Sequence, residues 1–551
     1  MKSMQSTEMQ SMLADMSQQF KSTTDYDLYS KSKTVHLFAT FGFEDKRATV
    51  VHVSAIGINQ ALKSLERKAK ELIDTFPMNI KIDVVTEKRS IDILSFIELI
   101  TRTKKNYFRF GLSFDKTLSQ AFLEQELNGN AMIQISPENK RGYLHEANIQ
   151  TYITMHRPDM NPIDFNKISE LYLFSTKGYF FDGKQFFSLH YDEFNHGRRD
   201  TPLNRKEVCY LVDSGQNYLT SLSKESGQFT YGYFSCFDKE IKFYNMLRHA
   251  STLFSMIEAY EFNPTLEAKK TIENGLIFLI NNALYVDDTN DIAYIIDGLD
   301  GNQEIKLGAN AAAILAFTKY MDVFQDSTYL QISVQLANGI LRLQHENGSF
   351  THVLHYPSMK VKERFRIVYY DGEAAFALMR LYRIQKNELW LQAVEKAFDY
   401  FIQEQYWKNH DHWLSYCTNE LTMYRPLEKY FQFGLDNAKG KLHFIYHRIT
   451  TYPTFLELTV ATYKMVQRLK QTNFAHLLND FDEEYLIETI HTRAEYQRNG
   501  FFYPELAMYY KNPKRITGSF FIRHHSFRTR IDDVEHYLSG YIAYCEEFHP
   551  Q

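Results

Sequence analysis

The sequence predicts an α+β N-terminal domain followed by an all-α array of helical hairpins, and three observations carry that prediction. Residues 34–200 mix a two-residue hydrophobic alternation with a 3.6-residue one. From about residue 204 the chain turns helical and repetitive. A turn with a glycine and an aromatic extended run recurs in LTSLSKESGQFTYGYF (219–234), ILRLQHENGSFTHVLHY (340–356) and AEYQRNGFFYPELAMYY (494–510).

Taken in order, residues 1–33 are polar and rich in Met, Gln and Ser, and read as a flexible N-terminal tail. They contain no apolar run of signal-peptide length. VHLFATFGF (35–43) and RATVVHVSA (47–55) alternate as the arms of a hairpin. Ile58, Leu62, Leu65, Ala69, Leu72 and Ile73 share one helical face, and MNIKIDVV (78–85) returns as a strand. A second helix over 90–103, a strand over 106–114, a helix over 117–128 and a strand at AMIQI follow. Asp182-Gly183 marks a tight hairpin turn. This α+β domain, 34–200, holds no glycine-rich phosphate loop, no GxSxG and no HExxH.

Over 204–551 each repeat reads as a helix, a glycine C-cap, an aromatic extended segment and a second helix. The second helices start near Asn245, Gly308, Asp371, Pro453 and Asp533, with intervals of about 63 and then about 80 residues. Partner helices fall at 266–285, 328–344, 389–405 and 475–495. Val534, Tyr537, Leu538, Tyr541, Ile542 and Cys545 line one face of the last helix, as Ala375, Leu378, Met379 and Tyr382 do in the third. Small residues such as Ala309, Ala311, Ala312 and Ala313 suit a tightly packed inner ring. Five pairs are readable, and 204–222 or the N-terminal part is left to supply a sixth.

This repeat of helical hairpins with Gly-aromatic turns resembles the six-hairpin glycosidase-like superfamily, whose members form an (α/α)6 toroid. The resemblance covers about 350 residues and identifies no closer family. It implies an all-α (α/α)6-type toroid and a carbohydrate-active enzyme, since the superfamily includes glycosidases, sugar epimerases, polysaccharide lyases and lanthionine cyclases. One fold hosts many chemistries, so the reaction has to come from the residues.

Composition narrows the partners. A net charge of −5 over 551 residues leaves no basic surplus for nucleic acid, and no stretch approaches the length of a membrane span. Cys209, Cys236, Cys417 and Cys545 form no CxxC or zinc spacing, so neither a disulfide framework nor a metal or other cofactor is expected. The chain reads as cytoplasmic. Aromatic residues make up 15% of it, which suits either a Phe-rich core or a surface for flat amphipathic ligands such as sugars.

In a toroid the loops leading into the inner helices gather at one mouth, and those loops hold the unusual polar residues. Asp371, Glu373, Asp532 and Asp533 are the candidate catalytic carboxylates. Arg248, His249, Asn310, Tyr369, Tyr370, His447, Tyr452, Arg528, Arg530 and His536 are the candidate substrate contacts. Capping alone accounts for Asp371 as an N-cap with Glu373 in the first turn, and for Asp532-Asp533 as N-cap and N1. Arg528 and Arg530 could equally pair with those aspartates. Two carboxylate centres facing one cavity suit glycoside hydrolysis of a polysaccharide or oligosaccharide, the favoured reading. A His/Tyr pair beside an arginine clamp suits epimerase or lyase chemistry instead. The alternative is a non-catalytic scaffold or binding protein in polymer biosynthesis, with the α+β domain docking a protein partner.

Overall fold

The computed structural model describes residues 2–30, 34–192, 194–298 and 301–550. Its contacts divide the chain into two units. The first is Met1–Pro202 with Tyr233–Glu240 and Asn499–Thr529; the second is Leu203–Gly232, Ile241–Arg498 and Arg530–Gln551. The first unit thus takes in two segments that the sequence reading assigns to the helical array.

The first unit is built on an antiparallel sheet of β1 (Val35–Gly42), β2 (Thr49–Ala55), β3 (Asn79–Asp92), β4 (Gly111–Ser113), β5 (Ala121–Phe122), β6 (Glu170–Phe181) and β7 (Phe186–Ser188). The order is β2-β1-β3-β6-β4-β5, with β7 also paired to β6. Alternation decides the faces. Leu37, Ala39 and Phe41 join Ile80, Ile82 and Val84 under the helix Ile58–Leu72. Phe38, Val50, Phe174 and Phe180 face the other way, onto Phe502, Met508, Tyr510 and Phe521. The segment 499–529 therefore belongs to this unit because its aromatics cover a sheet face, and Thr40 and Tyr509 share a buried hydroxyl hydrogen bond of 2.8 Å.

Two expectations change here. The first 30 residues are not a free tail: the helix Lys2–Lys21 buries Met9, Met12, Leu13, Met16 and Phe20 against the core of the helix Ile58–Leu72. These positions follow helical spacing, but methionine and a polar background mask it. The helix expected over 117–128 shrinks to Glu124–Gly129. Asp115 explains the loss, since its carboxylate accepts the backbone N–H groups of Thr117 (3.0 Å) and Gln120 (2.7 Å) and so competes with helix formation.

Among the described residues, the second unit is built on twelve main helices. The outer ones are α1 (Arg205–Leu222), α3 (Leu266–Ala283), α5 (Leu330–Leu343), α7 (Glu388–Gln403), α9 (Glu428–Lys439) and α11 (Glu483–Gln497). The inner ones are α2 (Met246–Phe262), α4 (Leu307–Phe324), α6 (Tyr369–Ile384), α8 (His412–Tyr424), α10 (Thr454–Leu469) and α12 (Ile531–Phe548). Each inner helix packs on the next, and α12 packs back on α2, so the ring closes. The sixth inner helix, α8, sits in the 80-residue interval between Asp371 and Pro453, and 205–222 is an outer helix rather than an inner one.

The turn glycines work differently from helix caps. α1 and α5 end in extended residues, Ser223 and Gln344, and Gly227 (φ 85°) and Gly348 (φ 94°) come four residues later, in tight turns. A side chain at either would overlap the backbone carbonyl of the next outer helix, at Asn274 and Lys396. Glycine there lets one hairpin seat against its neighbour. Inner helices are buried nearly all round: α4 buries fourteen of its eighteen residues. No helix among the described residues is long and apolar enough to cross a membrane.

Candidate active site

The first turns of the inner helices bring the polar residues together. In α2, Asn245 is the N-cap, and Arg248 points its Nε at Asp532 of α12, 2.6 Å away. Arg530 caps α12 and adds a second guanidinium, 2.8 Å from Asp532 and 3.1 Å from Asp533. Asp532 and Asp533 are therefore residues of the first turn, not N-cap and N1, and both are neutralised by arginine.

α6 begins at Tyr369, with Val368 as its cap, so Asp371 is not the N-cap expected from the sequence. Its carboxylate turns to His352, 3.0 Å from Nε2, and both side chains are buried. His352 Nδ1 accepts the backbone N–H of Arg366 at 2.9 Å, so Nε2 carries the proton and donates to Asp371. Burial raises the Asp371 carboxyl, with the histidine bond pulling the other way. Asp371 thus ties the segment before α6 to the start of the helix.

Glu373 lies two residues on, in the same helix. Its side chain is buried, yet Oε2 has no hydrogen-bond partner among the described residues. Burial, then Asp411 and Glu535, push its carboxyl well above the ordinary range. Gly308 on α4 makes room: a Cβ there would overlap Glu373 Oε2 and lie 2.6 Å from Tyr370. Tyr370 is buried beside it, packed against His352.

α8 supplies what the sequence reading missed. Asp411 caps it, accepting the Leu414 N–H at 3.2 Å. His412 Nδ1 lies 3.2 Å from Asp411 Oδ1, and its Nε2 is buried with no hydrogen-bond partner. The His412 ring meets the His536 ring edge to face, with centroids 5.1 Å apart. His536 Nδ1 lies 3.0 Å from Glu457 Oε2 and 3.9 Å from Glu535 Oε1. Burial opposes a charge on this ring, but Glu457, Glu535 and Asp532 outweigh it and hold the imidazolium up to about 10. Burial pushes Glu535 up to about 8 despite His536. Two hydroxyls orient the flanking carboxylates: Tyr416 donates to Glu457 Oε1 at 3.1 Å and Ser251 to Glu535 Oε2 at 2.5 Å.

Tyr369 faces His412, with centroids 6.0 Å apart, and reaches the Tyr452 hydroxyl. The remaining predicted residues are placed elsewhere. His249 is fully buried and spends both nitrogens, at 2.7 Å from the Tyr244 hydroxyl and 2.9 Å from the Gly275 carbonyl. Asn310 is equally buried, accepting the Ile295 N–H and donating to the Lys306 carbonyl. Both are packing residues with no polar atom left for a ligand. His447 is exposed and bonds to the His443 carbonyl. Arg528 falls in the first unit.

The arrangement gathers Glu373 Oε2, Asp411 Oδ1, His412 Nε2 and Asp532 Oδ1, all buried and without hydrogen-bond partners among the described residues. Each such atom costs about 1–3 kcal/mol unless a ligand or water meets it, which makes the cluster a candidate binding centre. His412, Glu457 and His536 also place one ligand atom each within 4.8 Å of one another, the trio best placed for a metal among the described residues.

No family model matches the chain, and neither does any curated protein sequence. Solved structures do resemble it. A D-mannose isomerase is 12% identical, with a TM-score of 0.47 over 63% of this chain and 100% of that one. A sugar epimerase from a ruminal bacterium is 14% identical, with a TM-score of 0.47 over 62% and 98%. A polysaccharide lyase is 13% identical, with a TM-score of 0.41 over 62% and 99%. Likenesses this distant say nothing of the reaction. The closed ring of six helical hairpins is the chain's own feature. The second unit has the six-hairpin toroid fold.

Proposed function

We propose that the chain is a carbohydrate-active enzyme that moves a proton on a sugar carbon next to a carbonyl, as an epimerase or isomerase does. The observation that carries this reading is the pair of facing imidazoles, buried His412 with no hydrogen-bond partner on Nε2 and half-buried His536 held charged by Glu457. His412 Nε2 takes the proton from the carbon, and Glu373, kept neutral, donates a hydrogen bond to the carbonyl oxygen as charge builds there. The His536 imidazolium then returns a proton to carbon, so one proton leaves and one arrives. Arg248 and the hydroxyls of Tyr369 and Tyr452 border the same centre and orient the sugar. Hydrolysis, favoured by the sequence, loses ground because three of its four carboxylates are committed to His352, Arg248 or Arg530.

The test is to incubate the full chain in D2O with D-mannose, D-glucose and cellobiose and to follow C2 by NMR. Deuterium at C2 with appearance of the C2 epimer or ketose is expected, reduced by roughly 10²–10⁴ in His412→Asn and His536→Asn. New reducing ends from an oligosaccharide panel, with no exchange at C2, would replace this reading by hydrolysis through Glu373.

A further inference from the structure

The inner ring has a second polar end. A cavity of about 310 Å³ lies among the C-terminal halves of all six inner helices, away from the first turns that hold the imidazoles. Tyr416 marks the boundary: its ring lines the cavity while its hydroxyl donates to Glu457. At roughly 30 Å³ per water, the space would hold about ten waters or one small ligand with its solvent.

The lining is charged but balanced. Lys319 pairs with Glu261 (2.5 Å), Arg383 with Asp322 (3.0 Å), Arg380 with Glu420 (3.1 Å) and Lys464 with Glu546 (3.3 Å). The fifth carboxyl, Glu258, accepts the Ser539 hydroxyl at 2.6 Å, and burial pushes it toward its neutral form. Each of the four cations is thus paired to a carboxylate, and none is left to attract an anion. The converging helix C-termini further disfavour an anion. Yet the walls keep hydrogen-bonding capacity. Glu420 is buried, its side chain only 6% exposed, and while its Oε2 pairs with Arg380 Nε its Oε1 has no hydrogen-bond partner among the described residues. Beside them Phe376 and Tyr416 stack at 5.4 Å and 17°, an apolar wall next to paired donors and acceptors. An unmet acceptor, an aromatic face and cations already paired to carboxylates together fit a neutral polyhydroxylated molecule.

We infer that this rear cavity is a second binding site, for a neutral polyol or monosaccharide, separate from the imidazole centre. It stands whether or not the imidazole centre turns over sugar. The test uses the full chain with His536 replaced by Asn, so that the first centre is disabled, and titrates it with D-mannose and myo-inositol by calorimetry and saturation-transfer NMR. D-glucuronate and choline serve as charged counterparts. Saturable binding of the neutral probes is expected, weakened by about tenfold or more when Ala461→Phe fills the cavity or when Glu420→Leu removes the acceptor. Should Ala461→Phe fail to fold, the Glu420→Leu comparison decides alone. Absence of neutral-probe binding to the His536→Asn chain overturns the proposal. So does tighter binding of D-glucuronate or choline, or binding that neither rear variant weakens.

Discussion

Replacing Glu457 by Gln tests whether a carboxylate holds His536 charged. An imidazolium that persists to about 10, against an ordinary 6.5, is favoured over its neutral form by about 5 kcal/mol. Glu457 lies 3.0 Å from Nδ1, and a Coulomb interaction at that distance with an effective dielectric near 20 is also about 5 kcal/mol. Glu535, at 3.9 Å, is farther and itself pushed toward protonation, so it replaces only part of the loss. Burial, which disfavours the charge, then acts with less opposition. Glu457→Gln should lower the His536 pKa by about two pH units or more. The assay is an NMR titration of the ¹⁵N-histidine-labelled full chain, with His536→Asn assigning the signal. Activity should track it, its alkaline limb moving from near 10 toward neutrality. Stability follows the same sign. The folded chain holds this proton more tightly than the unfolded one, so the contribution is whole below 6.5 and fades as pH rises toward 10. A wild-type His536 already neutral at pH 8, or a titration unchanged in Glu457→Gln, would refute the reasoning.

Gly308→Ala should crowd Glu373 and Tyr370, costing about 1–3 kcal/mol in a thermal melt and a larger share of turnover; wild-type kinetics would show that Glu373 has no fixed seat. Asp371→Ala leaves the buried His352 Nε2–H without its acceptor, a loss of about 1–3 kcal/mol by denaturant titration, whereas Asp371→Asn, which retains an acceptor oxygen, should lose less. Phe20→Ala should destabilise the first unit by about 3–5 kcal/mol, since the ring is fully buried; a loosely held tail predicts no change. At pH 7 a metal on the His412–Glu457–His536 trio must first displace the His536 proton, at about 4 kcal/mol, so dialysed protein should carry no stoichiometric zinc or manganese by elemental analysis.

The helical array was legible because its turns repeat, and the last helix shows a plain 3.6-residue face. α8 was not, although the interval of about 80 residues between Asp371 and Pro453 leaves room for a whole hairpin. Its sequence, HWLSYCTNELTMY, is buried on most sides, and a helix buried all round has no polar stripe to reveal its period. Missing α8 meant missing Asp411 and His412. Glu373 and His536 could be picked out because they sit at the starts of recognisable helices. Their roles could not, since the same positions suit capping: Asp371, the apparent cap, answers to His352 nineteen residues earlier, a contact no local spacing encodes. The N-terminal helix escaped for a related reason, as its core face is made largely of methionines set among polar residues.

The concentration of acids at one end of the ring has a physical cause that also bears on the chemistry. Asp371, Glu457, Asp532 and Asp533 fall in first turns, and Asp411 is an N-cap, where unsatisfied backbone N–H groups and the positive ends of the helix dipoles favour negative charge. Their counter-ions then sort them by role. Asp532 and Asp533 are neutralised by Arg248 and Arg530, Glu457 by His536, and Asp371 is spent on His352, while Glu373 meets carboxylates and is driven neutral. A glycosidase needs one neutral acid and one charged carboxylate free to attack or to activate water. Here the neutral acid is present, and Asp532, Asp533 and Glu457 are paired to cations, while Asp411 keeps one oxygen without a hydrogen-bond partner among the described residues. On the proposed reading, His412 Nε2 and the proton of His536 beside Glu373 serve to move a proton, whereas cleaving a glycosidic bond would have to pair Glu373 with Asp411.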